Sequence, residues 1–160
     1  MAERGHKRTC DGCTACCHTH PVKELDKSAH QTCSHCHLWG CGIYSTRPLG
    51  CRDFVCQWLV GFGGDDCRPD RIGAVLDLQE SPMLERLVMT IWEYSPGSLQ
   101  SAAVKNLTRD ILAAALIVIW INSQGVSCLF LPPGQMLSRK IRRELTRQGI
   151  KLLKTFAIEG

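Results

Sequence analysis

No stretch of this chain is apolar for long enough to cross a bilayer. The longest apolar run, residues 111 to 121, has eleven residues, against the ~18 consecutive apolar residues that suggest a membrane span. Residues 1 to 8 are polar and charged with no apolar stretch behind them, so the sequence reads as lacking a secretory signal, and a reducing cytoplasmic setting is the expectation. No glycine-rich phosphate loop follows a predicted strand; Gly61-Phe62-Gly63-Gly64 is too short and wrongly placed. Neither a Ser-His-Asp arrangement nor a paired-carboxylate site can be located, which leaves acyl transfer and carboxylate acid/base chemistry without a basis. Excess charge is also missing. A formal net charge of +4 is too small to imply a polyanionic partner.

Cysteine, by contrast, is abundant. Eleven cysteines make up roughly 7% of the chain, just under the level of about 8 to 10% seen in small disulfide scaffolds. Ten of them lie between Cys10 and Cys67, and only Cys128 lies beyond. All six histidines, His6, His18, His20, His30, His35 and His37, fall in the first forty residues. In a reducing compartment such clustering points to metal ligands rather than disulfides.

The chain divides in texture. Residues 1 to 70 carry eight Lys/Arg and eight Asp/Glu and show no sustained helical or strand period. A segment of that kind needs metal or cross-links to offset chain entropy, and it reads as a cysteine-rich metal-binding segment. The stretch from Gly61 to Asp66 reads as the loop at its boundary. Residues 71 to 160 read as a small α+β domain. Strands are predicted over residues 72 to 78 and 84 to 94, the second alternating through Leu87, Met89 and Ile91. A helix follows to about residue 115, then strands over residues 116 to 121 and 126 to 131, and a last helix over residues 135 to 153. The expected fold class is α+β, an irregular cysteine-rich segment followed by a β-β-α-β-β-α unit whose two helices pack on one face of a small sheet.

The first cysteine cluster is Cys10-x2-Cys13-x2-Cys16-Cys17. Two intervening residues allow a tight turn that aims both sulfurs at one centre, a spacing shared by zinc and iron-sulfur sites. Neighbouring residues point apart, so Cys16 and Cys17 serve different ions or one of them is unligated. The second cluster is Cys33-x2-Cys36-His37, followed by Cys41, Cys51 and Cys56. Nine cysteines up to Cys56 suffice for two four-thiolate sites with one left over.

These residues, with Glu24-Leu25-Asp26-Lys27, Cys41-Gly42-Ile43-Tyr44-x2-Arg47-Pro48-x2-Cys51-Arg52-Asp53-Phe54-x-Cys56-x-Trp58-Leu59 and Arg68-Pro69-Asp70-Arg71, resemble the bacterial CxxCxxCC family. That family is described as zinc- or iron-chelating domains and as iron-sulfur oxidoreductases. The resemblance covers residues 10 to 78. It implies metal binding by Cys10, Cys13, Cys16, Cys17, Cys33, Cys41, Cys51 and Cys56, with Cys36 as an addition and Cys67 and Cys128 outside the pattern. The family also includes flagellin lysine methylases, much longer chains, so a protein-modifying transferase is the most distant of the readings.

The triple-cysteine run favours an iron-sulfur cluster over zinc, since one zinc needs only two nearby cysteines from each of two knuckles. A redox or electron-transfer role, with an unidentified redox or protein partner, is the leading expectation, and an iron-sulfur oxidoreductase would be the corresponding enzyme. The rival is a structural zinc module contacting a partner. Arg47 and Arg52 would offset thiolate charge or pair with surface carboxylates. Tyr44, Phe54 and Trp58 would shield a centre or form the small core of the segment. His35 and His37 are alternative ligands beside Cys36, whereas His6, His18, His20 and His30 are expected at the surface. The last helix carries Arg139, Lys140, Arg142, Arg143, Arg147, Lys151 and Lys154 against Glu144. No aromatic residues interleave them for base stacking, so nucleic acid is not an expected partner and a solvated face is the simpler reading.

Overall fold

A computed structural model of the chain describes residues 8 to 10 and 12 to 153; His6 and the end of the chain lie outside them. The fold is α+β, a mixed five-stranded sheet with a separate two-stranded ribbon. The first seventy residues form short pieces held by turns: helix α1 (Ala15–Thr19), the ribbon β1 (Cys36–His37) and β2 (Gly40–Cys41), and helices α2 (Leu49–Asp53) and α3 (Pro69–Ile72). Then come β3 (Ala74–Ser81), β4 (Arg86–Glu93), α4 (Ala102–Ala113), β5 (Ile117–Ile121), β6 (Ser127–Phe130), α5 (Arg139–Arg147) and β7 (Lys151–Leu153).

Sheet order follows the chain from β3 to β7. The pairs β3/β4 and β5/β6 are antiparallel, whereas β4/β5 and β6/β7 are parallel and are joined through α4 and α5. Alternation within each strand divides the core in two. Leu76, Met89, Ile91, Val118, Trp120 and Phe130 pack against Val104, Leu107, Ile111 and Leu112 of α4. Val88, Ile117 and Leu129, from the opposite face, pack against Ile141 and Leu145 of α5.

The two helices therefore lie on opposite faces of the sheet, not on one. Strand direction explains this. The β4 and β5 strands run one way and β6 and β7 the other, while both crossovers step the same way across the sheet. Right-handed crossovers then place successive helices on alternate faces.

A second difference concerns the last helix, which stops at Arg147 instead of running to residue 153. Gly149 takes a positive φ of 72°, the left-handed conformation that ends helices, and Lys151–Leu153 pairs with β6 as a fifth strand. Ser138 caps the start of α5 and Ser101 that of α4, each accepting a hydrogen bond from the third backbone N–H along.

The cysteine-rich segment covers the β3 edge on the same face as α5. Ala15, Cys56 and Trp58 pack on Val75, with Trp92 and Tyr94 beside them. Gln57 N–H donates to Leu76 C=O at 3.0 Å, extending the sheet edge into this segment. Among the described residues, no helix is long and apolar enough to cross a membrane.

Candidate metal centre

Tight turns present the cysteines, as the x2 spacing requires. Cys13 N–H donates to Cys10 C=O at 2.8 Å, and Cys36 N–H to Cys33 C=O at 3.0 Å. The two clusters are tied together where Cys33 N–H donates to Cys17 C=O at 2.9 Å. Cys36 and Cys41 stand opposite one another across the β1/β2 ribbon. Cys51 is carried on α2, which is tethered by Glu24: its Oε1 accepts from Gly50 N–H at 2.8 Å. A side chain at position 50 would put its Cβ 2.9 Å from Glu24 Oε2, so the Glu24 carboxylate would have to shift to admit one.

Cys10, Cys13, Cys16, Cys17, Cys33, Cys41, Cys51 and Cys56 line a single cavity of about 600 Å³. Cys36, Cys67 and Cys128 are not part of its lining. Cys36 is adjacent nonetheless, hydrogen-bonded to Cys17, with its Sγ 3.6 Å from His18 Nε2. Every cysteine is a free thiol. Among the described residues, no three Cys, His, Asp or Glu side chains stand in a metal-holding arrangement; the thiols share a wall without closing on one point.

Electrostatics place the thiols in two neighbourhoods, which meet where Cys17 also raises Cys10. Burial first, then repulsion from Cys13, raises Cys10 against the pull of Arg47. Burial also raises Cys13 and pushes Cys56 up to about 11, with Cys13 and Cys10 adding to it. In the second neighbourhood Cys51 is raised by burial and then by Cys17, Cys33 and Cys41. The adjacent Cys16 and Cys17 side chains do not point apart as expected: they are hydrogen-bonded to each other, and this bond, then burial, pushes Cys17 far above the thiol range. The raised values favour the protonated thiol at Cys10, Cys13, Cys17, Cys51 and Cys56, where a binding cation would displace the proton.

Cations are already close by. Lys27 is buried, its ammonium donating to the carbonyls of His20 and Ser28. Burial lowers its pKa, and Cys33, Cys17, Cys16 and Cys51 pull it back up. Arg47 lines the cavity with its guanidinium 3.7 Å from the centre of the Tyr44 ring. Arg52 is exposed and outside the lining. Tyr44 and Phe54 line the cavity, whereas Trp58 belongs to the core beneath it.

The histidines differ most from expectation. His20 is buried, and His18 and His30 are half-buried, not at the surface. His18 donates to or accepts from Thr32 Oγ1 through Nδ1 and stacks near Tyr94. His37 is exposed, and neither it nor His35 lines the cavity. Buried Lys27 and His20 were missed as parts of the site because both sit among polar neighbours with no apolar period. No protein-family model, curated protein or solved structure matches this chain.

Proposed function

We propose that this chain is a cysteine-cluster metalloprotein, with an iron-sulfur cluster favoured over zinc and a redox or electron-transfer role. One observation carries the reading. The eight cysteines of the CxxCxxCC-like pattern all line one cavity, while Cys67 and Cys128 do not. The donor set fits the group: eight cysteine sulfurs on one cavity suit iron-sulfur clusters or zinc. Cys10, Cys13 and Cys56 would hold one part of it, and Cys16, Cys17, Cys33, Cys41 and Cys51 the other.

An iron-sulfur cluster, when bound, supplies one-electron transfer. The chain's own residues do the rest. Lys27 and Arg47 offset thiolate charge, which sets how readily an electron is accepted. Phe54 limits the access of water. Free thiols suit a reducing cytoplasm.

The division of the thiols into two neighbourhoods supports a second reading, two structural zinc ions in an interaction module. Purification without oxygen, followed by metal and sulfide analysis and an absorption spectrum, decides between them. Stoichiometric iron and sulfide with absorption bleached by reduction is the expected result. Zinc alone, with no reducible species, favours the second reading, and neither metal would overturn both.

A further inference from the structure

The floor of the cavity carries chemistry that the thiols do not use. We propose that His20 and Asp77 form a sulfur-free site for a divalent first-row cation, with the Gln79 carbonyl as a third donor.

The Thr19 hydroxyl donates to Ala15 C=O at 3.1 Å, so toward His20 Nδ1, 2.8 Å away, it accepts. With the hydroxyl proton on that carbonyl, Nδ1 is assigned the ring hydrogen, and in the neutral ring the lone pair then lies on Nε2. The ring is held between Phe54 and Trp92, at centroid distances of 4.1 and 4.9 Å. His20 is only 8% exposed. Its Nε2 has no hydrogen-bond partner among the described residues.

Asp77 Oδ2 lies 3.6 Å from that nitrogen, and both residues line the cavity. A buried lone pair facing a carboxylate is unfavourable unless something positive lies between them, either a second proton on the ring, which makes the contact an ion pair, or a bound cation. The separation discriminates between the candidates. An N–H···O hydrogen bond closes to about 2.7 to 3.2 Å, and a water bridging through two bonds of ~2.8 Å at a tetrahedral angle holds its partners about 4.6 Å apart. A metal ion with bonds of ~2.1 Å at the same angle holds its ligands about 3.4 Å apart. At 3.6 Å the pair is beyond hydrogen-bond length but within ion-pair reach, short of a water bridge, and near the span of two ligands on one cation.

Two further features fit. Gln79, two residues along β3 and so on the same face as Asp77, also lines the cavity. Its amide nitrogen is committed to the Thr90 hydroxyl at 2.9 Å, which leaves its carbonyl oxygen to accept. The Nδ1–H bond to Thr19 is the second contact that metal-ligating histidines almost always make. One imidazole nitrogen with oxygens suits manganese(II) or iron(II) rather than the ions that select thiolates. So few protein ligands leave positions open to the cavity for water or a bound molecule, as in sites that react rather than brace.

The test is a titration of the full-length protein with Mn2+, which thiolates bind poorly, following the free ion by electron paramagnetic resonance. The wild type is expected to take up one Mn2+ per chain. Asp77→Asn, which keeps side-chain size, and Thr19→Val, which removes the Nδ1 partner, should each weaken binding by about tenfold or more, with unchanged circular dichroism. Cys13→Ser and Cys56→Ser should bind as the wild type does, which separates this site from the thiol centre whatever metal that centre holds. No Mn2+ uptake by the wild type, equal uptake by properly folded Asp77→Asn or Thr19→Val, or loss in the cysteine variants instead would overturn the assignment.

Discussion

The carboxylate of Glu24 accepts a hydrogen bond from the backbone N–H of Gly50 at 2.8 Å, tying the turn before Lys27 to the helix that carries Cys51. This bond holds the Glu24 carboxyl below its ordinary range. A depressed folded value means that the contribution to stability is fully present above the unfolded value of about 4.3 and is lost as pH falls through the lower folded one. Thermal unfolding of wild type and Glu24→Gln across pH should therefore show the wild type melting higher at neutral pH, with the gap closing in acid. A gap independent of pH would show that the carboxylate charge is not what holds the tether.

Lys27 places a cation against Cys33, Cys17, Cys16 and Cys51. Lys27→Met keeps the aliphatic stem and removes the charge that offsets thiolates once a metal has displaced their protons. Metal affinity, measured by competition with a chelator, should fall by about tenfold or more. Wild-type affinity in this variant would mean that the lysine only braces the His20 and Ser28 carbonyls.

Within the α4 core, Trp120 Nε1–H donates to the Thr108 hydroxyl at 2.9 Å, and that hydroxyl donates to Val104 C=O at 2.8 Å. Thr108→Val leaves a buried indole N–H without a partner. The expected cost is about 1 to 3 kcal/mol, read as a lower denaturation midpoint with an unchanged denaturant dependence. A change near zero would mean that the indole finds another acceptor.

Much of the sheet was legible because its strands alternate cleanly: Met89 and Ile91 point to α4, and Val88 and Trp92 point away. The apolar stripe of each helix announced that it packs, but not on which face. That depends on strand direction, which becomes visible only once the β5/β6 hairpin is seen to reverse the chain between two parallel crossovers. The β7 strand has three residues and no period, and the basic run before it reads as more helix; the positive φ at Gly149 is what separates them.

At the site, spacing carried most of the information. The Cys10–Cys13 and Cys33–Cys36 turns close as two intervening residues allow. His20 was not legible, because its burial comes from Phe54 and Trp92, distant in sequence. Nothing in the local pattern Thr19-His20-Pro21 distinguishes it from a surface histidine.

The central claim is that the thiols of one cavity, and not cysteines in general, hold the metal. Iron, zinc and sulfide contents of protein purified without oxygen should be compared among wild type, Cys13→Ser, Cys56→Ser, Cys67→Ser and Cys128→Ser. The account predicts stoichiometric metal in the wild type and in the last two variants, with loss in Cys13→Ser and Cys56→Ser. Equal metal content in all five proteins, or loss on substituting Cys128 alone, would contradict it.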